Sequence, residues 1–167
     1  MINQEGFTLD EIRKLFLDRE GNKLVADNII PFQKINEMIW DIKSEIFIPA
    51  AASRLISRDQ IERMANAGLE VISCGANVPF SDPEIFFGQT GLYADERVAV
   101  IPDFIANCGM ARVFAYLMSE KVELTDDGIF KDVSKTIAKA LKKTHAKNPE
   151  RTKIAQASFA IALNQLV

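Results

Sequence analysis

The stretch EIFIPAAASRLISRDQIERMANAGLEVIS, residues 45–73, contains two short apolar runs separated by a helical pattern. The runs at 45–48 and 69–73 have the length and the Ile, Val and Phe content of strands buried on both faces. Between them, Ser57 begins a capping box that predicts the start of a helix, and Gly68 predicts its end. Because a crossover that carries a helix joins parallel neighbours, this stretch predicts a parallel βαβ unit.

The same pattern occurs a second time further along the chain. A third apolar run at 98–101 predicts another strand. Asp82 and Pro83 are a capping residue and a first-turn proline, so they predict a short helix through Phe87 that a following glycine ends. Two such units in succession predict an α/β fold with a three-layer parallel sheet of about three strands.

Helical patterns flank the predicted sheet on both sides. Near the start of the chain, Thr8 and Glu11 form a capping box before an apolar stripe, and a polar loop is predicted at 18–27. Further helices are predicted at about 31–40, 107–119 and 127–143, with a last helix that begins at Asn148 and Pro149. We therefore expect a single domain, 1–167, with an α/β part at 1–106 and additional C-terminal helices at 107–167.

Composition excludes several classes of protein. The 167 residues are 48% hydrophobic and 26% charged, with a net charge of −3, which is typical of a soluble domain and gives no reason to expect nucleic acid. Cys74, Cys108 and His145 lack the spacing of a zinc site. No apolar run approaches the roughly 20 residues that span a bilayer, and residues 1–10 do not resemble a secretion signal. We expect no metal and no membrane association, and a cytoplasmic location.

The residues that follow the three predicted strands share a composition that favours a binding site. Residues 49–53, 74–79 and 102–107 are small, polar or proline residues, and we call these three segments the rim. Ligands of open parallel sheets bind beyond the carboxyl ends of the strands. A single segment of this kind is more often just a tight turn, but three at one edge favour a site.

A glycine-rich phosphate-binding loop is missing from the sequence. The eight glycines form neither GxGxxG nor a P-loop. The first βα unit of a dinucleotide-binding sheet would normally carry that loop.

Taken together, the rim segments and their flanks resemble the nucleotide-binding domain of the glutamate/leucine/phenylalanine/valine dehydrogenase family, and its glutamate dehydrogenase branch most closely. The resemblance runs from about residue 29 to the end. It is carried by residues 40–51 (WDIKSEIFIPAA), 75–77 (GAN) and 101–109 (IPDFIANCG), and by Arg151 and Thr152. It implies a partial Rossmann-like fold and a part in the NAD- or NADP-linked oxidative deamination of an L-amino acid.

The resemblance also implies which residues bind the cofactor. The segment after the first strand would lie beside the ribose of the cofactor, and residues 75–77 (GAN) would lie at its nicotinamide end. Asn107 would lie near both the nicotinamide and the substrate. The implied cofactor-binding residues are Pro49, Ala50, Ala51, Gly75, Ala76, Asn77 and Asn107. The family's first βα unit and its catalytic residues would precede Met1. We therefore expect a carboxyl-terminal piece that holds no catalytic residue and is inactive alone.

Two positions depart from the pattern of glutamate dehydrogenases. Phe114 stands where the family has a serine that helps to hold the side-chain carboxylate of the substrate, which argues against glutamate. Arg112 is a nearby cation that could compensate, so both residues are candidate substrate contacts and the amino acid stays open. We expect an amino acid as the small-molecule partner, and a homo-oligomer. The alternative is a non-catalytic α/β interaction or oligomerisation module derived from the family.

Several of these side chains also have structural roles open to them. Asn77 could bridge a turn, Asn107 could cap a helix, and Asp103 is more typical of a turn former than of a rim acceptor. Trp40 is expected in the core.

Overall fold

The computed structural model describes residues 1–3, 5–119 and 125–165, and these form two compact units, Met1–Ile39 and Trp40–Val167. The first unit contains helices α1 (Leu9–Leu17) and α2 (Phe32–Met38). The predicted capping box of α1 is confirmed: Glu11 N–H donates to the Thr8 hydroxyl, and the Thr8 N–H donates to the Glu11 carboxylate. A 3-10 turn, Ile39–Asp41, follows α2. The assignment of the whole chain to one domain stays a prediction.

The second unit contains a three-stranded parallel sheet, which confirms the predicted fold class. Its strands are β1 (Ile46–Phe47), β2 (Val71–Ser73) and β3 (Ala99–Ile101), in the order β1-β2-β3. The register pairs Phe47 with Ile72, and Ile72 with Val100. The carboxyl ends of all three strands therefore lie at one edge of the sheet.

The described part of this unit also contains six α-helices. They are α3 (Arg58–Asn66), α4 (Gln89–Asp95), α5 (Asp103–Ala106), α6 (Gly109–Leu117), α7 (Asp126–Lys147) and α8 (Ile154–Leu163). The predicted capping box of α3, Ser57 with Gln60, is confirmed. Helices α4 and α8 pack against β3, and α7 packs against α8. No helix among the described residues is both long enough and apolar enough to span a membrane.

The core of the second unit lies between the sheet and these helices. Ile61 of α3, Ile72 of β2 and Val100 of β3 are at most 1% exposed. Each such side chain contributes roughly 1.5–3 kcal/mol when it is buried. Trp40 is in the core as predicted and packs edge-on against Phe47, with ring centroids 6.0 Å apart.

The prediction that all three strands are buried on both faces is wrong for β1. Ile46 and Ile48 are each 61% exposed, whereas Ile72 and Val100 are buried. The reason is position: β1 is at one edge of the sheet, while α4 and α8 pack against β3 at the other side.

The predicted short helix after Asp82 is also wrong. Residues 83–87 form bends, and the helix of this region, α4, begins at Gln89. Asp82 is a cap as predicted, but it serves α4: its carboxylate accepts from the backbone N–H groups of Thr90 and Gly91, both at 2.9 Å. Gly88, at the N-cap position, has no side chain with which to do this.

The last helix begins later than predicted. Asn148 ends α7, and its side-chain amide donates to the carbonyl of Thr152 at 2.8 Å, so it closes a turn instead of starting a helix. Helix α8 begins after Lys153, whose φ is +58°. The carboxylate of Asp95 caps α8 by accepting from Ala155 N–H at 2.9 Å.

Candidate functional site

The ends of β1 and β2 lie against each other at the rim. Ala76 N–H donates to the carbonyl of Pro49 at 2.7 Å. A Cβ atom on Gly75 would lie 3.2 Å from the Cβ of Ala50, so the absence of a side chain at Gly75 allows this close approach. Ala51 follows on the same segment and is exposed. The structure thus brings Pro49, Ala50, Gly75 and Ala76 together.

The segments that follow β2 and β3 are joined through two asparagine side chains. Asn107 Nδ2 donates to Asn77 Oδ1 at 2.6 Å, and both side chains are exposed. Asn107 is also the C-cap of α5, so the two roles considered for it coexist. The seven residues predicted from the sequence to bind the cofactor therefore lie in the segments that follow the three strands, with Asn107 at the end of α5.

The hydrogen bond between Asn77 and Asn107 uses only some of the donors and acceptors of their side-chain amides. The bond between the side chains uses one hydrogen of Asn107 and the carbonyl oxygen of Asn77. Within the described ranges, no residue bonds to the amide nitrogen of Asn77 or to the carbonyl oxygen of Asn107. The pair therefore keeps N–H donors and the Asn107 carbonyl acceptor, which are the kinds of group that can bond to a carboxamide.

Asp103, treated from the sequence as a turn former, connects two of the rim segments. Its Oδ2 accepts from Val78 N–H at 2.8 Å, and its Oδ1 accepts from Phe104 N–H at 2.8 Å. The second bond belongs to the turn at the start of α5. The first crosses to the segment after β2, which sequence reasoning missed because 25 positions separate the two residues.

Arg112 and Phe114 lie on α6, and their environments differ from that of the rim. Arg112 forms a bidentate ion pair with Asp132 of α7, with Nε–Oδ2 at 2.5 Å and Nη2–Oδ1 at 2.8 Å. This hydrogen bonding lowers the pKa of the Asp132 carboxyl and raises the pKa of Arg112. Phe114 is 61% exposed. Across residues 1–3, 5–119 and 125–165, no hydrogen bond, ion pair or ring contact joins either side chain to the rim.

An apolar cavity of about 80 Å³ lies next to the rim and shares Val78 and Asp103 with it. Five phenylalanine side chains are among the described residues that line it, and the ring of Phe159 lies 4.8 Å from that of Phe86 and 6.0 Å from that of Phe104. The sequence showed no sign of this cavity, because its aromatic residues come from α8, α5 and the segment before α4.

The two cysteines of the second unit differ in their surroundings. Cys74 follows β2, lines the same cavity and is 1% exposed. Burial, with smaller contributions from the charges of Asp103 and Asp95, raises the pKa of the Cys74 thiol to about 12. Cys108 is half-buried at the N-cap of α6.

We therefore expect only Cys108 to react with a thiol reagent such as DTNB in the folded protein at pH 8. The thiolate is the nucleophile, and Cys74 has neither the charge nor the access that the reaction needs. The measurement is a count of reacting thiols, one in buffer and two in guanidinium chloride. Cys108→Ser should abolish the reaction in buffer and Cys74→Ser should leave it unchanged, while rapid labelling of folded Cys108→Ser would contradict the assignment.

Comparison with known proteins relates the chain to one family. The family model for Glutamate/Leucine/Phenylalanine/Valine dehydrogenase matches residues 1–167. The NADP-specific glutamate dehydrogenase of Psychrobacter sp. (strain TAD1) is 27% identical over 149 residues, which cover 81% of this chain and 32% of that protein. The chain thus spans about a third of the length of this relative. Because the family match runs through the whole chain and includes all three strand ends that meet at the rim, the chain belongs to the glutamate/leucine/phenylalanine/valine dehydrogenase family.

Proposed function

We propose that this chain forms the nicotinamide side of the NAD(P)-binding domain of an amino acid dehydrogenase. The observation that carries the proposal is the Asn77–Asn107 pair, bonded at 2.6 Å between the segments that follow β2 and β3. The donors and the acceptor that remain on this pair can bond to the carboxamide of nicotinamide, so the residues present fit the cofactor. When bound, NAD or NADP supplies the hydride acceptor for oxidative deamination of the amino acid.

The other rim residues would act by letting the cofactor come close to the backbone. Ala50 and Ala51 have short side chains, and Gly75 has none, so a ribose can approach the ends of β1 and β2 without a clash. Asn77 and Asn107 would orient the nicotinamide ring through its amide, which aligns the ring for hydride transfer. The relative is named as specific for NADP, and for this chain we propose NAD or NADP.

The substrate we propose is an L-amino acid, with Arg112 and Phe114 as the candidates that contact it. Helix α6, which carries both, begins two residues after Asn107. The Arg112 guanidinium already binds both carboxylate oxygens of Asp132. A substrate carboxylate would therefore have to compete with Asp132, so the pair supports the view that glutamate is not the preferred substrate. Because the chain covers 32% of its relative, we propose that catalytic residues come from outside it.

A titration of the isotope-labelled chain with halves of the cofactor tests the proposal. Nicotinamide mononucleotide should shift the side-chain amide signals of Asn77 and Asn107 in the NMR spectrum, and AMP should not. Asn77→Ala and Asn107→Ala should each weaken binding of the mononucleotide about 3- to 10-fold, the usual effect of one lost hydrogen bond.

The matched control is Asn66→Ala, an exposed asparagine at the end of α3, which should leave the affinity unchanged. If the mononucleotide at millimolar concentration leaves the Asn77 and Asn107 signals in place, or if Asn66→Ala weakens binding as much as Asn77→Ala, the proposal is wrong.

A second candidate function, a non-catalytic interaction or oligomerisation module, is favoured by one observation. Ile46 of the edge strand β1 and Ile48 just after it are each 61% exposed, and exposed apolar edges favour association. Sedimentation of the chain at several concentrations distinguishes the two. If the chain associates, Ile46→Lys abolishes the association and the mononucleotide does not bind, the interaction module is favoured. If the chain forms a homo-oligomer that binds the mononucleotide, the dehydrogenase is favoured.

A further inference from the structure

Val78, in the rim segment after β2, is bonded to the chain after each of the other two strands. Its N–H donates to Asp103 Oδ2 of the segment after β3, at 2.8 Å. Its carbonyl accepts from the N–H of Arg54, in the segment after β1, at 2.8 Å. The residue before it is Asn77, whose side chain is bonded to Asn107. The backbone of Val78 therefore determines where Asn77 lies relative to the other two strand ends.

Val78 holds a backbone conformation that its side chain disfavours. Its φ is +44°, in the left-handed region, which a β-branched residue rarely adopts because Cβ approaches the backbone too closely. Such a conformation persists only when the surrounding contacts over-determine it. The contacts available here are the bond from Val78 N–H to Asp103 and the bond from Arg54 to the Val78 carbonyl.

Asp103 is itself well placed to impose this conformation. Its other oxygen accepts from Phe104 N–H at 2.8 Å, so the carboxylate is anchored at the start of α5. A rotation of Val78 to a common φ would turn its N–H away from Asp103. The same rotation would carry Asn77 away from Asn107, because Asn77 and Val78 share a peptide unit.

We propose that Asp103 is a positioning residue: its carboxylate holds Val78 in the left-handed conformation and so keeps the Asn77 amide against that of Asn107. The consequence for cofactor binding rests on the proposed function. The positioning itself does not, because it concerns only this chain. The competing explanation is that Asp103 serves only the turn at α5, through its bond to Phe104.

The test is a rescue experiment. Asp103→Ala should change the side-chain amide signals of Asn77 and Asn107, speed the hydrogen exchange of Val78 N–H, and weaken binding of nicotinamide mononucleotide at least 5-fold. Adding Val78→Gly should restore the asparagine signals and most of the affinity, because glycine adopts φ near +44° without strain. Adding Val78→Ala removes methyl groups without relieving the backbone and should restore neither.

These variants separate positioning from a purely structural role. A role in the α5 turn alone would lower stability, would leave the asparagine signals in place, and would not respond to Val78→Gly. Either unchanged signals in Asp103→Ala or equal rescue by glycine and alanine would overturn the proposal. Should Asp103→Ala fail to fold, Asp103→Leu, which keeps the size of the side chain but has no acceptor, is measured in its place with the same outcomes.

Spectra recorded without ligand distinguish a failure of this proposal from a failure of the proposed function. If wild-type chain does not bind the mononucleotide, the cofactor proposal fails, whereas the asparagine and Val78 signals still decide whether Asp103 positions the rim.

Discussion

Gly88→Ala should destabilise the second unit by about 2–4 kcal/mol, the combined effect of overpacking and of a lost helix cap. A Cβ atom on Gly88 would overlap with Cβ and Cγ of Asp82 and would lie 2.5 Å from its Oδ2. The backbone at Gly88 is not the obstacle, because its φ of −62° suits any residue. The expected loss of stability therefore comes from the clash with Asp82, which overpacks the site and displaces the cap.

Asp82 cannot move aside without a second loss. Its side chain is 7% exposed, and both carboxylate oxygens accept from the first turn of α4. Arg54 also holds this segment by donating to the carbonyls of Asp82 and Pro83, at 2.6 and 3.0 Å. Displacing the carboxylate would leave the N–H groups of Thr90 and Gly91 without their acceptor.

Thermal unfolding measures this effect, and Gly109→Ala is the matched control. For a protein of this size, 2–4 kcal/mol corresponds to a fall in Tm of roughly 4–16 °C. Gly109 is the first residue of α6, and apart from its chain neighbours and its own helix backbone no atom of the described residues lies within 4 Å of the place a Cβ would take. Alanine there should leave stability unchanged or raise it by up to about 1 kcal/mol. Equal Tm values for the two variants would show that Gly88 does not support the Asp82 cap.

Asp95→Ala should destabilise the protein by about 2–4 kcal/mol, because it leaves buried N–H donors unpaired at the start of α8. Asp95 is 1% exposed. Its Oδ1 accepts from Ala155 N–H at 2.9 Å, and its Oδ2 accepts from the backbone and side chain of Gln156 at 3.1 and 3.2 Å. Since α8 packs against β3 and α7, loss of this cap loosens the contact between the helical tail and the sheet.

Urea unfolding measures the loss, with Asp27→Ala as the control. Asp27 is exposed, and no hydrogen bond or ion pair involves it in the described part of the chain. Its replacement should change stability by no more than about 0.5 kcal/mol. A similar small change for Asp95→Ala would mean that α8 does not depend on this carboxylate.

The same carboxylate should make stability depend on pH. Burial raises the pKa of Asp95 above its ordinary value of 3.8, and the N–H donors of α8 oppose this only in part. The folded protein therefore keeps the proton to higher pH than the unfolded chain does, so the contribution of Asp95 is largest at low pH and falls as pH rises through the raised pKa. The stability difference between wild type and Asp95→Asn should shrink as the pH rises above 3.8, the ordinary pKa of the group. A difference that grows over that range would contradict the shift.

Much of the rim could be predicted from the sequence because it follows from topology. Once two parallel units are identified, the residues after each strand must lie at one edge, and Asn77 and Asn107 are bonded there. The link through Val78 could not be predicted, since its left-handed backbone depends on partners from two other segments. The pairing of Arg112 with Asp132 was equally hidden, because it depends on how α6 packs against α7.

The helix caps show most clearly what each level of structure decides. The sequence alone determined the starts of α1 and α3, because the side chains of Thr8 and Ser57 bond to amides three residues away, and that spacing is visible in the sequence. Only the tertiary structure decided the starts of α4 and α8, whose amides are capped by Asp82 and Asp95 from 8 and 60 positions away. The physical reason is that a hydrogen bond depends on distance in space, and distance along the chain predicts it only within a single turn.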